Sequence, residues 1–232
     1  MEADGVTVVI TPEHADVWEA NWLQAGPDAM TATVFAALER HFPAGWQVVV
    51  TDALTPPAVE AALALADFRP AQTLIEMATD RIALMQPAAV TLEPVGDAQW
   101  SRFAALVDID HREGKRTGAH DEAVAAGLLA AMRRRLGPCD YWLLVEDGVD
   151  AGFGMTAACP NGLGLIENLF TLPDRRGRGL MSAFIAAAAA RLQACGCDAV
   201  FLDAHAHDTP KHLYARLGFA PVAVTRSWVR QV

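Results

Sequence analysis

Basic residues are in short supply: 18 lysines and arginines stand against 28 aspartates and glutamates, a net charge of −10. Phosphate backbones and anionic headgroups repel such a chain, so neither nucleic acid nor a membrane surface is an expected partner. Long apolar runs are missing as well. The alanine-rich stretch Ala183–Ala190 is far shorter than the ~20 residues that cross a bilayer. No basic-then-apolar leader opens the sequence, which begins Met1-Glu2-Ala3-Asp4, and the expectation is a cytoplasmic protein. The four cysteines, Cys139, Cys159, Cys195 and Cys197, form no C-x-x-C pair. They read as reduced thiols filling small core sites.

What is present is enough for a large core. Hydrophobic residues make up 53% of the 232 positions and charged residues 20%, a balance that argues against disorder and suits one large domain or two small ones. Periodicity divides the chain into two sets of elements. Residues 1–80 contain strands at Val6–Ile10, Gln47–Thr51 and Arg69–Ala78, and helices at Ala32–Arg40 and Pro56–Ala66. Residues 81–88 form a linker, with Pro87 as punctuation. Residues 89–232 open with a strand at Val90–Pro94 and a helix at Asp97–Val107. A polar loop at His111–His120 and a helix at Glu122–Leu136 follow. Three strands come next, at Tyr141–Val145, Ala151–Ala158 and Leu165–Leu172, then a helix at Leu180–Ala194. The chain ends strand, helix, strand at Ala199–Asp203, Pro210–Leu217 and Ala220–Val229.

The two sets are related. At a fixed offset of 151, Arg40 falls on Arg191, Gly45 on Gly196, Asp52 on Asp203, Phe68 on Phe219 and Pro70 on Pro221. This reads as a duplicated unit. Its chemistry is not duplicated: Ala25-Gly26-Pro27-Asp28 stands opposite Arg176-Gly177-Arg178-Gly179, and Leu63 stands opposite Tyr214.

The strongest chemical signal is Thr171-Leu-Pro-Asp-Arg-Arg-Gly-Arg-Gly-Leu180. A strand ends, a glycine-rich turn follows and a helix begins. Backbone N–H groups in such a turn converge on one point, the helix adds its positive end, and together they form a nest for a diphosphate. The second signal is His212-Leu-Tyr-Ala-Arg-Leu-Gly-Phe-Ala-Pro221. In this order the two segments resemble those of the GNAT superfamily of acyltransferases. Asp174-Arg-Arg-Gly-Arg-Gly179 is similar to its R/Q-x-x-G-x-G/A loop, and Leu213–Phe219 to its L-Y-x-x-L-G-F element. Three residues depart from the pattern: Asp174 replaces Gln or Arg, Met181 a frequent third glycine, and His207 a frequent Asn.

The resemblance implies a mixed α/β fold: a central, mainly antiparallel sheet with helices on both faces, preceded by a partial copy of the same unit. It implies acetyl-CoA as cosubstrate, and acetyl transfer by direct attack of a primary amine on a small molecule or peptide. Leu169, Phe170 and Thr171 would pair with the pantetheine arm, and Arg175, Arg176, Gly177, Arg178, Gly179, Leu180, Met181 and Ser182 would hold the pyrophosphate. Tyr214, one of only two tyrosines, would be the general acid for the leaving thiolate. Glu167, a carboxylate amid an apolar strand, is the candidate base or amine-binding group, with His205 and His207 as rivals. The H-x-H spacing of those histidines also suits a metal, but no third ligand accompanies them and none is expected. His111, Arg112, Glu113 and His120 could line the acceptor side. A CoA-binding regulator or sensor without turnover is the alternative, and either a monomer or a homodimer is compatible with the sequence.

Overall fold

The computed structural model describes residues 2–12, 20–81, 90–114 and 122–232. These residues form two compact units. The first comprises 1–76 together with 204–208 and 221–232, and the second comprises 77–203 and 209–220. The units are therefore not two successive stretches of sequence, because the end of the chain belongs to the first. The expected linker at 81–88 lies outside the described residues apart from Arg81.

In the first unit the strands β1 (Glu2–Ala3), β2 (Val6–Val9), β3 (Trp22–Ala25), β4 (Trp46–Thr51), β5 (Arg69–Thr79) and β11 (Ala220–Gln231) lie in the order β1-β2-β3-β4-β11-β5. The pairs β1/β2, β2/β3 and β4/β11 are antiparallel, and β3/β4 is parallel. Helices α1 (Thr31–His41) and α2 (Pro57–Leu65) bury Val34, Leu38, Val59 and Leu63 in one cluster with Val6, Leu23, Val49 and Phe68. Strand β3 was not expected, since Trp22-Leu-Gln-Ala25 contains no β-branched residue. It forms because Leu23 and Ala25, both fully buried, fill the layer between β2 and β4, so that burial overrides propensity.

The last strand of the chain is anchored through side chains as well as its ladder. Residues 226–231 of β11 pair with 46–51 of β4. Arg230 donates to Gln47 Oε1 (2.7 Å) and to the Ala66 carbonyl (2.9 Å), and its guanidinium stacks 4.6 Å from the Phe68 ring. Arg226 meets Glu60 at 2.9 Å, and Thr51 donates to the same carboxylate at 2.7 Å.

In the second unit the order is β10 (Ala199–His205), β9 (Leu163–Thr171), β8 (Val149–Ala158), β7 (Asp140–Glu146) and β6 (Thr91–Pro94). Only β9/β10 is parallel; the other three ladders are antiparallel. Helices α3 (Trp100–Gly114) and α4 (Glu122–Arg134) cover one face, where Phe103 lies 5.2 Å from both Tyr141 and Phe153. Helix α5 (Leu180–Ala194) takes the other face. Its Phe184 ring occupies the space that a Cβ on Gly154 would need, 2.3 Å away. Helix α6 (Pro210–Arg216) completes this unit. The expected loop at His111–His120 is corrected in its first part: α3 continues to Gly114, supported by an Asp108–Arg112 pair at 2.9 Å. Residues 115–120 lie outside the description.

The fold is mixed α/β with mainly antiparallel strands and flanking helices, as expected. Shifted by 151, Thr31, Trp46, Pro57 and Arg69 fall on 182, 197, 208 and 220, each within two residues of the start of α5, β10, α6 or β11.

The Glu60 anchor has a pH signature. Partial burial works to raise its pKa, but hydrogen bonds from Thr51 and Arg226 and the arginine charge outweigh that and hold it below 4.5. A folded-state pKa below the unfolded value means the stabilisation is complete above about 4.5 and fades as pH falls through the lowered value. Glu60→Gln is expected to cost about 1 kcal/mol at neutral pH. Thermal melts should show its gap to wild type closing as the pH is taken below about 4.

Candidate functional site

The site begins with an irregularity in β9. Met155 pairs with Glu167 and Phe153 with Phe170, so Asn168 and Leu169 together oppose the single residue Gly154. Asn168 takes φ +54°, in the left-handed region. Asparagine tolerates that region better than other residues with a side chain, and the result is a β-bulge that bends the strand. On its other edge β9 pairs with β10 through only three positions, Leu163–Leu165 with 199–201. Both strands continue, β9 to Thr171 and β10 to His205. The ladder thus ends at Leu165, and the remainder of β9 presents a strand edge beside a diverging neighbour.

At the end of that edge the chain makes one 3-10 turn at Pro173–Arg175 and enters α5 at Leu180. Gly177 and Gly179 adopt φ +76° and +77°. Gly179 caps the helix, with no side-chain capping bond, and its carbonyl accepts from the Ala183 N–H. The N–H groups of Leu180, Met181 and Ser182 lie in the first turn and have no intrahelical acceptor. Thr171, Arg175, Arg176, Gly177, Gly179, Leu180, Met181 and Ser182 line one cleft of about 420 Å³, joined by Leu213 and Arg216 of α6. Leu169, Phe170 and Arg178 do not line it. The Phe170 ring is buried in the core on the α3 side, which leaves only the backbone of that residue for a ligand.

The arginines of the loop are held by acids that sequence reading did not connect to them. Glu146, at the end of β7, accepts from Arg175 at 3.0 Å and from Arg178 at 3.2 Å. Glu113, near the end of α3, receives both terminal nitrogens of Arg176 at 2.7 and 2.6 Å, and Arg176 Nε donates to the Thr171 carbonyl at 3.0 Å. That hydrogen bond with Glu113, ahead of the opposing effect of partial burial, raises the Arg176 pKa. Bidentate pairing fixes the guanidinium plane as a single contact would not. The loop is therefore braced to β7 and α3 by carboxylates. Neither partner was recoverable from spacing, since Glu113 lies 63 residues before Arg176, and Glu146 lies 29 and 32 residues before Arg175 and Arg178.

Tyr214 lies on α6 with only 5% of its surface exposed and its ring 6.3 Å from that of Phe219. It does not line the cleft, although Leu213 and Arg216 beside it do. Glu167 is half-buried on β9. Through Met155 it shares a cross-strand row with Tyr141, on the face covered by α3 and α4. His205 and His207 belong to the first unit, where His205 Nε2 lies 3.3 Å from Gln72 Nε2. Among the described residues no group of three or more His, Cys, Asp or Glu is disposed to hold a metal, and no helix is long and apolar enough to cross a membrane.

Residues 102–219 match the family model described as the acetyltransferase (GNAT) family. Among solved structures, a functionally unknown conserved protein from Staphylococcus epidermidis superposes with a TM-score of 0.76 at 11% identity, covering 100% of this chain and 92% of that one. A GCN5-related N-acetyltransferase from Kribbella flavida gives 0.68 at 21% identity, covering 99% and 88%. A tandem GNAT protein from the clavulanic acid biosynthesis pathway gives 0.59 at 14% identity, covering 87% and 68%. At these identities the likeness is one of fold. No curated protein matches the chain.

A Cβ built on Gly177 or Gly179 meets nothing within 4 Å, so substitution there costs backbone strain and no clash. Forcing a branched residue to positive φ costs about 1–2 kcal/mol. Gly177→Val and Gly179→Val are expected to weaken CoA binding in a calorimetric titration by about tenfold or more. Arg175→Ala should lower the melting temperature by releasing the loop from Glu146, and should weaken CoA binding less than either glycine variant does.

Proposed function

The chain belongs to the GNAT acetyltransferase family, and from that premise we propose that it moves an acetyl group from acetyl-CoA to a primary amine by direct attack. The observation that carries this reading is the open edge of β9 running into the glycine loop and the first turn of α5. A strand edge suits an extended ligand bearing amides, and the convergent amides at its end suit a diphosphate.

Acetyl-CoA supplies an activated thioester; the chain's own residues supply position and protons. In this reading the backbone of Leu169–Thr171 orients the amide-bearing arm. The amides from Arg176 to Ser182 bind the pyrophosphate, with Arg175, Arg176 and Arg178 adding positive charge once they exchange some of their carboxylate contacts. Tyr214 gives its hydroxyl proton to the departing sulfur. A thiolate with a pKa near 8.5 and a phenol near 10 are close enough for that transfer. Glu167 takes a proton from the attacking amine or binds its cationic form. We assign the chemistry to residues 89–232, which include every one of these groups.

The first unit is assigned no cofactor of its own. Its β3/β4 ladder runs to Gln24, the Ala25 carbonyl accepts from Thr55 Oγ1 at 2.6 Å, and Gln24 meets Asp52 at 3.5 Å. The last carbonyl of β3 is thus already taken by an internal hydrogen bond, where the corresponding edge of the second unit is open. The connection from β3 to α1 is residues 26–30, against 172–179 from β9 to α5. It is shorter and has no left-handed glycine.

Steady-state release of CoA with a set of primary amines tests the assignment. Tyr214→Phe should lower kcat by about 10²–10⁴-fold near neutral pH while acetyl-CoA affinity is retained. Glu167→Gln should instead displace the pH–rate profile, with activity recovering as the amine loses its proton unaided. Full activity of Tyr214→Phe on a turned-over amine would make the tyrosine a packing residue.

A further inference from the structure

Arg40 and Arg191 stand 151 residues apart, in the last turns of α1 and α5, and they meet different surroundings. The Arg191 guanidinium lies 4.5 Å over the Trp142 ring, which is 8% exposed. Trp142 on β7 pairs with Gly154 on β8, and the Phe184 ring of α5 takes the space where Gly154 has no Cβ. In the first unit Val8 on β2 lies opposite Leu23, near the end of β3. Gly154 lies opposite the bulge at Asn168 and Leu169, near the end of β9. Val8 therefore holds on its sheet the place that Gly154 holds on the other. At the 151-residue offset Thr33 corresponds to Phe184. Valine and threonine together restore nearly the bulk of glycine and phenylalanine. Trp142 has no counterpart among the described residues, since β1 is only Glu2–Ala3, opposite Thr7 and Val6.

A cleft of about 470 Å³ lies here, within the size range of small-ligand sites. Val6 and Val8 of the sheet and Ala36 and Ala37 of α1 give it apolar walls, and Arg40 and His41 line it as well. Neither basic side chain has an ion pair or a ring contact among the described residues, so Arg40 lacks the ring that Arg191 covers. Apolar walls beside an unpaired guanidinium, at the place where the second unit holds an indole, suit a flat aromatic ring.

We propose that this cleft binds a small molecule with an indole-like ring, seated on Val6, Val8, Ala36 and Ala37 with the Arg40 guanidinium on its face. The ligand is neutral or anionic, because stacking on Arg40 would bring a cationic group beside a like charge. It thus differs in charge from the amine proposed as acceptor. The cleft shares no residue with the one that holds the glycine loop, and the inference does not rest on the acetyltransferase reading.

The test is calorimetric titration of the full chain with indole, indole-3-acetate and tryptamine, repeated on Arg40→Ala and Ala36→Trp. Tryptamine is included because Asp4 also lines the cleft and its carboxylate would favour an amine. Ala36 is exposed, so a tryptophan there fills the cleft without entering the core. Wild type should bind indole and indole-3-acetate with a Kd of about 0.1–1 mM, the scale of a fragment-sized ligand, and tryptamine more weakly. Arg40→Ala should weaken indole binding by about 3–10-fold, the scale of one cation–π contact. Ala36→Trp should abolish it, with a melting temperature at or above that of wild type. No saturable binding to wild type, tightest binding of tryptamine, or full binding by Ala36→Trp would each overturn the inference. Should Ala36→Trp fail to fold, Arg40→Ala decides, and unchanged indole affinity there overturns it. Sedimentation covers the remaining occupant: a wild-type dimer dissociated by Ala36→Trp would make the cleft a contact between copies of the chain, and the small-molecule site would be wrong.

Discussion

Every backbone N–H and C=O in a folded chain needs a partner, and the site follows from the one place where the sheet withholds them. Strand β9 follows its parallel neighbour for three residues and then leaves it, bent by the bulge at Asn168 and Leu169. The groups beyond Leu165 lie at an edge, and in the same direction the chain reaches the unsatisfied amides of α5. A ligand that is extended, amide-bearing and terminated by phosphates matches both features. In the first unit the last carbonyl of the corresponding edge, that of Ala25, is already taken by the Thr55 hydroxyl. The helix–strand–helix–strand order thus recurs in both units, and the opening is found in one.

Charge sets the second constraint. In a chain of net charge −10, a triple-arginine loop is an anomaly that needs local compensation. Glu146 and Glu113 provide it, the first gripping two arginines and the second one. These contacts hold the loop in its curled form, so that in the proposed reading its amides are directed before a phosphate arrives and less ordering has to be done on binding. The pairs made by the half-exposed Arg176 and Arg178 contribute little to stability, while Arg175 and Glu146 are only 24% and 19% exposed. The effect of these pairs lies in geometry, because Arg176 is fixed in its plane and donates to the carbonyl that ends β9.

Much of this was legible from residues alone. Glycines spaced to turn a loop into a helix N-terminus marked the cleft, and eight of the predicted cofactor residues line it. The 151-residue offset anticipated the repeated helix–strand–helix–strand order. The features that sequence missed are those set by tertiary pairing. Asn168 in Glu-Asn-Leu was a usable signal, since asparagine is poor in strands and good at positive φ, but only the partner strand fixes the bulge. The membership of β11 in the first unit depends on which neighbour it chooses, through Arg226, Trp228 and Arg230, and no local pattern encodes that choice. Trp22–Ala25 has one strand-favouring residue, Trp22, and becomes a strand through burial of Leu23 and Ala25. Glu113 read as a possible acceptor-side residue and Glu146 as no site residue at all; only the fold sets both beside the loop.

Hydrogen–deuterium exchange with and without saturating acetyl-CoA tests the central claim most directly, because it reads the backbone groups that the claim concerns. The account predicts slower exchange at 169–171 and 176–182 on addition of acetyl-CoA, with residues 24–35 of the first unit unchanged. Protection at 24–35, or none across 169–182, would contradict it.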